Sequence, residues 1–118
     1  MPIPSEQLKV GRYLQEWLRS IKSTVRASTW ARYEQLIRIH VLPTLGTVVL
    51  ARLEPRHVQR LYADCLAQGL APATVRQLHT ILHHALGQAV KWGNVVRNVV
   101  ALVSSPRVQR HEIAPLSA

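Results

Sequence analysis

Residues 72–91 read PATVRQLHTILHHALGQAVK and form the longest amphipathic segment of the sequence. The apolar residues of this segment recur at steps of three and four, which is typical of one face of an α-helix. Pro72 suits a first helical turn, where its missing N–H has no cost, and Gly93 follows the last periodic residue as a stop signal. The pattern predicts a helix over 72–91 with these buried residues: Val75, Leu78, Leu82, Ala85, Leu86 and Ala89.

Two further amphipathic helices are predicted on the N-terminal side of this segment. The first spans about residues 5–23, where apolar residues again recur at helical spacing. The second begins at Ser28, a good N-cap residue, and runs to about Val41. Pro43 and Gly46 are expected to end it, because proline and glycine both interrupt a helical pattern.

The middle and the end of the chain supply shorter elements. Residues 42–53 hold proline and glycine between short apolar runs and predict an ordered connection rather than a helix. A third helix is expected to open at Glu54, with Pro55 in its first turn, and to close at Gly69. Residues 95–103 predict a fifth, short apolar element. Since no segment alternates like a strand, the sequence predicts an all-α fold, a compact bundle of four to five helices.

Composition indicates one domain without disulfides. A chain of 118 residues, 47% of them hydrophobic, has enough apolar surface for one core, which we expect within residues 1–106. Residues 107–118 follow a Ser-Ser-Pro stretch and are expected to be flexible. The lone Cys65 lies in an apolar stripe and is interpreted as a small buried hydrophobe. The sequence has no signal-peptide pattern and no membrane-spanning run, so we expect a cytoplasmic protein with no membrane partner.

The charge balance is the most informative bulk property. The sequence has 15 Lys and Arg against 6 Asp and Glu, a net charge of +9, and 12 of these cations are arginines. Between Asp64 and Glu112 there is no carboxylate at all. A solvated surface usually mixes both signs, so this excess indicates a polyanionic partner. Arginine in particular suits bidentate contacts with phosphates and guanines.

The outward faces of the second and fourth helices are the candidate DNA-binding surfaces. They combine guanidinium, amide, hydroxyl and small side chains, which can contact base edges in the major groove, while residues near a helix start can hold a phosphate. Ordinary solvent exposure is the alternative interpretation of these faces. The candidate residues are Arg26, Ser28, Thr29, Arg32, Gln35, Arg38, Ala73, Thr74, Arg76, Gln77, Thr80, His84, Lys91 and Arg107.

Catalytic and metal-binding patterns are weak. His79 and His83 have a spacing that can bind a metal, but no Cys, Asp or Glu is near in sequence to complete the site, so no metal and no cofactor are predicted. His57 and Arg60 match the H-x-x-R spacing of recombinase active sites. We interpret them as the polar positions of a short amphipathic helix, because no supporting arginine, lysine and tyrosine set surrounds them.

Residues 10–107 resemble the core-binding, SAM-like domain of phage-integrase-type tyrosine recombinases. The sequence departs from the family at Asn98-Val99, where Asn-Pro is common, and at Ala71, where Ser is frequent. Neither departure falls on the candidate DNA-binding faces. The resemblance rests on the order and spacing of the following segments: YLQEWL at 13–18, STWARY at 28–33, HVLPTLG at 40–46, LARL at 50–53, GLAPATV at 69–75 and AVKWGN at 89–94.

The resemblance implies double-stranded DNA as the partner. In this family the helical bundle covers one side of the recombination core site, with its second and fourth helices at the major groove, as half of a C-shaped clamp. The catalytic residues belong to a separate C-terminal domain, so residues 107–118 would be the linker toward it. The chain itself would not be an enzyme. The parent protein would be a bacterial or phage-encoded recombinase of a mobile element, associated with the nucleoid, that forms a 3′-phosphotyrosyl DNA intermediate.

Two other functions remain as alternatives. The apolar segment 95–103 could dock with other recombinase protomers or a helper factor, although packing on its own bundle is the favoured interpretation and a monomer is expected. A helix-turn-helix regulator is the second alternative. It requires a tight turn between its helices, and residues 42–53 are too long for one.

Overall fold

The protein is described here by a computed structural model that covers residues 8–105. These residues form an all-α domain, as predicted, and Pro72–Lys91 is a helix with the predicted bounds. A π-helical turn occupies Ile37–Val41, and 3₁₀ turns occupy Leu50–Arg52 and Val99–Leu102. The α-helices are α1 (Val10–Ile21), α2 (Ala27–Leu36), α3 (Leu42–Leu45), α4 (Pro55–Ala67) and α5 (Pro72–Lys91).

Helix α5 contributes most to the core. The predicted apolar stripe of α5 is buried in full, and Ile81 is buried with it. Cys65 on α4 is also buried, as predicted, and burial raises the pKa of its thiol, with a smaller contribution from Asp64. Leu66 and Trp92 are exposed large apolar residues, and both lie where α4 and α5 end.

Helix α1 contacts both α2 and α5. The Tyr13 hydroxyl donates a buried hydrogen bond of 2.6 Å to the Ala85 carbonyl of α5. The Trp30 indole N–H of α2 donates to the Leu18 carbonyl at 2.7 Å, and Trp17 stacks on Tyr33 with ring centroids 6.3 Å apart. These contacts fix the relative positions of the two helices that carry the candidate DNA-binding residues.

The start of α1 differs from the prediction. The helix begins at Val10, whereas Leu8 and Lys9 are extended; residues 5–7 lie outside the described part of the chain. The backbone here pairs with the segment before the first 3₁₀ turn: Val10 N–H donates to Val48 O at 2.8 Å, and Leu50 N–H donates to Leu8 O at 2.7 Å. This pairing competes with helix formation and buries Leu8.

Helix α2 starts earlier than predicted. Arg26, with extended backbone, occupies the N-cap position, and Ser28 lies inside the first turn without capping it, so the prediction of Ser28 as N-cap is wrong. The half-buried Val25 lines a groove with Ile21 and Tyr33.

The second helical segment also continues past its predicted end. Leu42 N–H donates to Ile37 O, five residues back, and this π turn leads directly into α3. Pro43 therefore falls in the first turn of a new helix, where its missing N–H is not needed, instead of ending the old one. The expectation of a non-helical connection over 42–53 is wrong at α3 and at the 3₁₀ turn Leu50–Arg52.

The remaining boundaries follow local signals. Helices α4 and α5 end before Gly69 and Gly93, which have φ angles of 97° and 81°, a region that favours glycine. After α5, the side chain of Asn98 accepts a hydrogen bond from Val100 N–H and donates one to the His83 carbonyl, both at 3.0 Å. The predicted domain boundary between residues 106 and 107 lies outside the described residues.

Candidate nucleic-acid interface

The two predicted DNA-binding faces meet in the structure. Arg32 of α2 donates a hydrogen bond through Nε to Oε1 of Gln77 on α5, at 3.3 Å. Further along, His84 and Gln88 of α5 line a groove together with Tyr33 of α2. The helices are therefore joined by polar side chains at the surface. We call this continuous area the α2–α5 surface.

All predicted binding residues within the described part of the chain are accessible to solvent. Thr29, Thr74 and Gln77 are half-buried and the others are exposed; Arg107 lies outside the described residues. Arg76 is exposed and directly precedes Gln77, so it lies at the same level of α5 as the contact with Arg32. The accessibility is compatible with DNA contacts, and the individual roles stay predictions.

Arg38 has a different position from Arg32. Its Nε lies 3.1 Å from a carboxylate oxygen of Glu34, one turn earlier on the same helical segment. Both residues line a groove between α1 and α2 that also contains Lys22, whose Nζ lies 5.0 Å from the centroid of the Trp30 ring. Arg38 thus lies on the α1 side of α2, while Arg32 lies on the α5 side. Glu34, the partner of Arg38, was not predicted from the sequence, although the two residues have the i, i+4 spacing of helical ion pairs.

The distribution of carboxylates distinguishes the α2–α5 surface from the rest of the molecule. Within residues 8–105, ion pairs join Arg12 to Glu16, Arg38 to Glu34 and Arg56 to Glu54. On the α2–α5 surface, Arg32, Arg76 and Lys91 have no described carboxylate within ion-pairing distance. Their positive charge therefore remains available to a polyanion.

Gln88 is a surface residue that the sequence interpretation omitted. It lines the same groove as His84 and lies one helical turn after it on α5. The i, i+4 spacing from His84 was the available signal. Near the start of α2, Arg26 and Ser28 are exposed, and the helix has no side-chain cap among the described residues. This leaves its first N–H groups open to a ligand such as a phosphate.

Two histidines outside this surface, His57 and His79, have structural roles. His57 Nδ1 accepts a hydrogen bond of 2.9 Å from Glu54 N–H and so caps α4, in agreement with its interpretation as a non-catalytic residue. His79 Nδ1 is hydrogen-bonded to the Tyr62 hydroxyl at 2.8 Å. Burial, and secondarily His83, lower the pKa of His79. Within residues 8–105, no group of three or more His, Cys, Asp or Glu residues could hold a metal ion.

Comparison with known proteins identifies the family. The sequence profile of the phage integrase N-terminal SAM-like domain matches residues 9–66. The solution structure of the phage integrase SAM-like domain from Moorella thermoacetica is 39% identical, covers 93% of this chain and 95% of that domain, and has a TM-score of 0.75. The chain belongs to the phage-integrase SAM-like domain family. The resemblance inferred from the sequence is therefore confirmed.

Two longer integrases contain a region similar to this chain. An integrase from Saccharopolyspora erythraea is 36% identical over 110 residues, which make up 91% of this chain and 25% of that protein, so the chain spans a quarter of its length. A lambda integrase dimer bound to a core site matches with a TM-score of 0.79 at 15% identity, over 87% of this chain and 37% of that one. At this identity the similarity shows the fold alone.

In the described residues, no helix is both long and apolar enough to span a lipid bilayer.

Proposed function

We propose that this SAM-like domain binds double-stranded DNA at a recombination core site, as the DNA-binding part of a tyrosine recombinase. The observation that carries the proposal is the α2–α5 surface, which is joined by the Arg32–Gln77 hydrogen bond and whose α5 half lies in the sequence region without carboxylates after Asp64. The lambda integrase of similar fold is bound to a core site, which supports DNA as the partner. Two adjacent helices with such side chains can enter the major groove.

The side chains of the surface divide into two kinds of contact. Arg32, Arg76 and Gln77 can reach base edges, where guanidinium and amide groups read the hydrogen-bonding pattern. Arg26 and Lys91, near helix ends, suit the phosphate backbone, and such contacts set the orientation of the domain on the duplex. The remaining predicted contacts on this surface are Ser28, Thr29, Gln35, Ala73, Thr74, Thr80 and His84, whereas Arg38 lies on the α1 flank and Arg107 stays a prediction from the sequence.

Strand cleavage belongs, in this proposal, to another part of the parent recombinase. Tyr13 and Tyr62 are buried, and desolvation raises the pKa of both hydroxyls far above the usual value. Tyr33 is half-buried and stacked on Trp17. These environments are unsuited to a tyrosine nucleophile that forms a 3′-phosphotyrosyl bond. The domain therefore contributes binding, and the chain is not itself an enzyme.

Salt-dependent binding to duplex DNA tests the proposal. Fluorescence anisotropy with a labelled core-site duplex should show affinity that falls with salt, with a log–log slope of about −4.5 if about five phosphates are contacted. Arg32→Ala and Arg76→Ala should weaken binding without lowering the melting temperature, because both side chains are exposed. Arg60→Ala, at an exposed position of α4, is the matched control and should bind normally. Salt-independent binding, or equal effects of all three variants, would contradict the proposal.

A protein-interaction role has one specific observation in its favour. Val96 is 96% exposed and Leu102 is 60% exposed, although Val99, Val100 and Val103 of the same segment are buried in the domain. The two exposed side chains could contact another recombinase protomer or a helper factor on DNA. Light scattering over a concentration series, with and without duplex, would detect such association. The association should be absent in a double variant, Val96→Ser with Leu102→Ser, and this variant should still bind DNA as a monomer.

A further inference from the structure

We infer that Arg32 and Gln77 act together as one hydrogen-bond donor unit that selects guanine in the core site. The inference rests on the proposed function and specifies how the α2–α5 surface would distinguish base pairs. It starts from the hydrogen bond between Arg32 Nε and Gln77 Oε1, which joins two helices across 45 positions of sequence.

This hydrogen bond engages the amide oxygen of Gln77 and one N–H of Arg32, and it leaves the other N–H donors of both side chains free. A guanidinium has five N–H donors and no acceptor, and the bond to Gln77 engages the one on Nε. The four N–H groups on the two terminal nitrogens of Arg32 remain. On Gln77, Oε1 faces Arg32, so the amide NH₂ with its two donors is the group left for a ligand. No described carboxylate pairs with Arg32.

The base edges in the major groove differ in how they match such a unit. Guanine presents two acceptors, N7 and O6, whereas adenine presents N7 beside the N6 amino donor and cytosine presents the N4 amino donor. An isolated glutamine reads adenine by accepting from N6 through its amide oxygen. In the Arg32–Gln77 unit that oxygen lies against a cation, so an incoming amino group would meet N–H donors. Guanine is therefore favoured over adenine and cytosine.

The unit is also preorganised. Two long side chains usually lose rotamer freedom when they are immobilised at an interface, and this loss weakens binding. Here each side chain already holds the other before DNA arrives, and the two helices are fixed by their contacts with α1. Arg32 and Gln77 should consequently read the same base pair. Substitution of either residue should affect the same position of the site.

Selection from a randomised duplex library tests the inference with the full chain. The wild-type protein should enrich guanine at one position, and Arg32→Lys and Gln77→Met should each lose that preference about tenfold. The double variant should lose no more than either single variant, because one unit is removed in each case. Gln59→Met, at an exposed position of α4, should retain the wild-type preference. Melting temperatures of all variants check that the fold is intact.

The outcomes separate this inference from the proposed function. If the wild-type chain enriches no sequence and binds no duplex, both fall. If it enriches a site but the two single variants keep its preferences or change different positions additively, the inference alone is overturned. Adenine at the position that responds to Gln77→Met would also overturn it, since glutamine would then read adenine by itself.

Discussion

Helices α4 and α5 are built alike toward the core and differently toward solvent. Each begins with proline at its first position, buries an apolar stripe and ends before a glycine with positive φ. Around the exposed face of α4, however, Glu54 and Asp64 accompany Arg56 and Arg60, whereas α5 carries no carboxylate. The amphipathic pattern therefore specifies packing, while the sign of the outer charges indicates which helix is suited to a polyanion.

The largest change in duplex affinity should come from one added carboxylate, and the size of the change should depend on which helix carries it. In Thr80→Glu the new side chain lies one turn after Arg76 on the exposed face of α5, where it would pair with that arginine and repel phosphates. We expect duplex affinity to fall roughly tenfold or more. Ala63→Glu adds the same charge at an exposed position of α4 and should change affinity less than about threefold. Equal losses in anisotropy titrations would remove the distinction between the two helices.

The inner side of α5 should control stability and not binding. Tyr13→Phe removes the buried hydrogen bond to the Ala85 carbonyl and should cost about 1 kcal/mol. In a domain of this size, this corresponds to a melting temperature lower by about 4–8 °C. Tyr33→Phe is the control, because the Tyr33 hydroxyl has no hydrogen-bond partner among the described residues. Thermal denaturation by circular dichroism would measure both, and an unchanged melting temperature in Tyr13→Phe would show that the bond contributes nothing.

Helix bounds that depend on local residues could be predicted, and those that depend on contacts elsewhere in the fold could not. The bounds of α5 and the ends of α4 follow from proline and glycine within a few positions, and local signals sufficed. The start of α1 depends on backbone pairing between Leu8 and Leu50, which are far apart in sequence. The continuation of α2 depends on a π turn that moves Pro43 into a tolerated position. Neither feature has a local signature, so both predictions were wrong.

The candidate site was predictable in its composition but not in its connections. Charge and side-chain type selected residues that are indeed accessible, and the family resemblance agreed with them. The Arg32–Gln77 contact depends on how α1 positions α2 relative to α5, and no spacing rule gives that distance. Arg38 was assigned to the same face as Arg32 from an ideal helical period. Its pairing with Glu34 places it on the other flank of the helix.

The smallest expected effect concerns the contact between α4 and α5, where Tyr62 and His79 meet. Burial lowers the pKa of His79 in the folded state below its usual value of 6.5, so the unfolded state binds more protons as the pH falls. The contribution of His79 to stability is thus complete above about pH 6.5 and is lost progressively below it. Urea denaturation at pH 7.5 and 5.5 should show a smaller loss for His79→Gln than for the wild type. His83→Gln should reduce the loss less, because burial is the larger cause; an equal loss in all three proteins would refute this assignment.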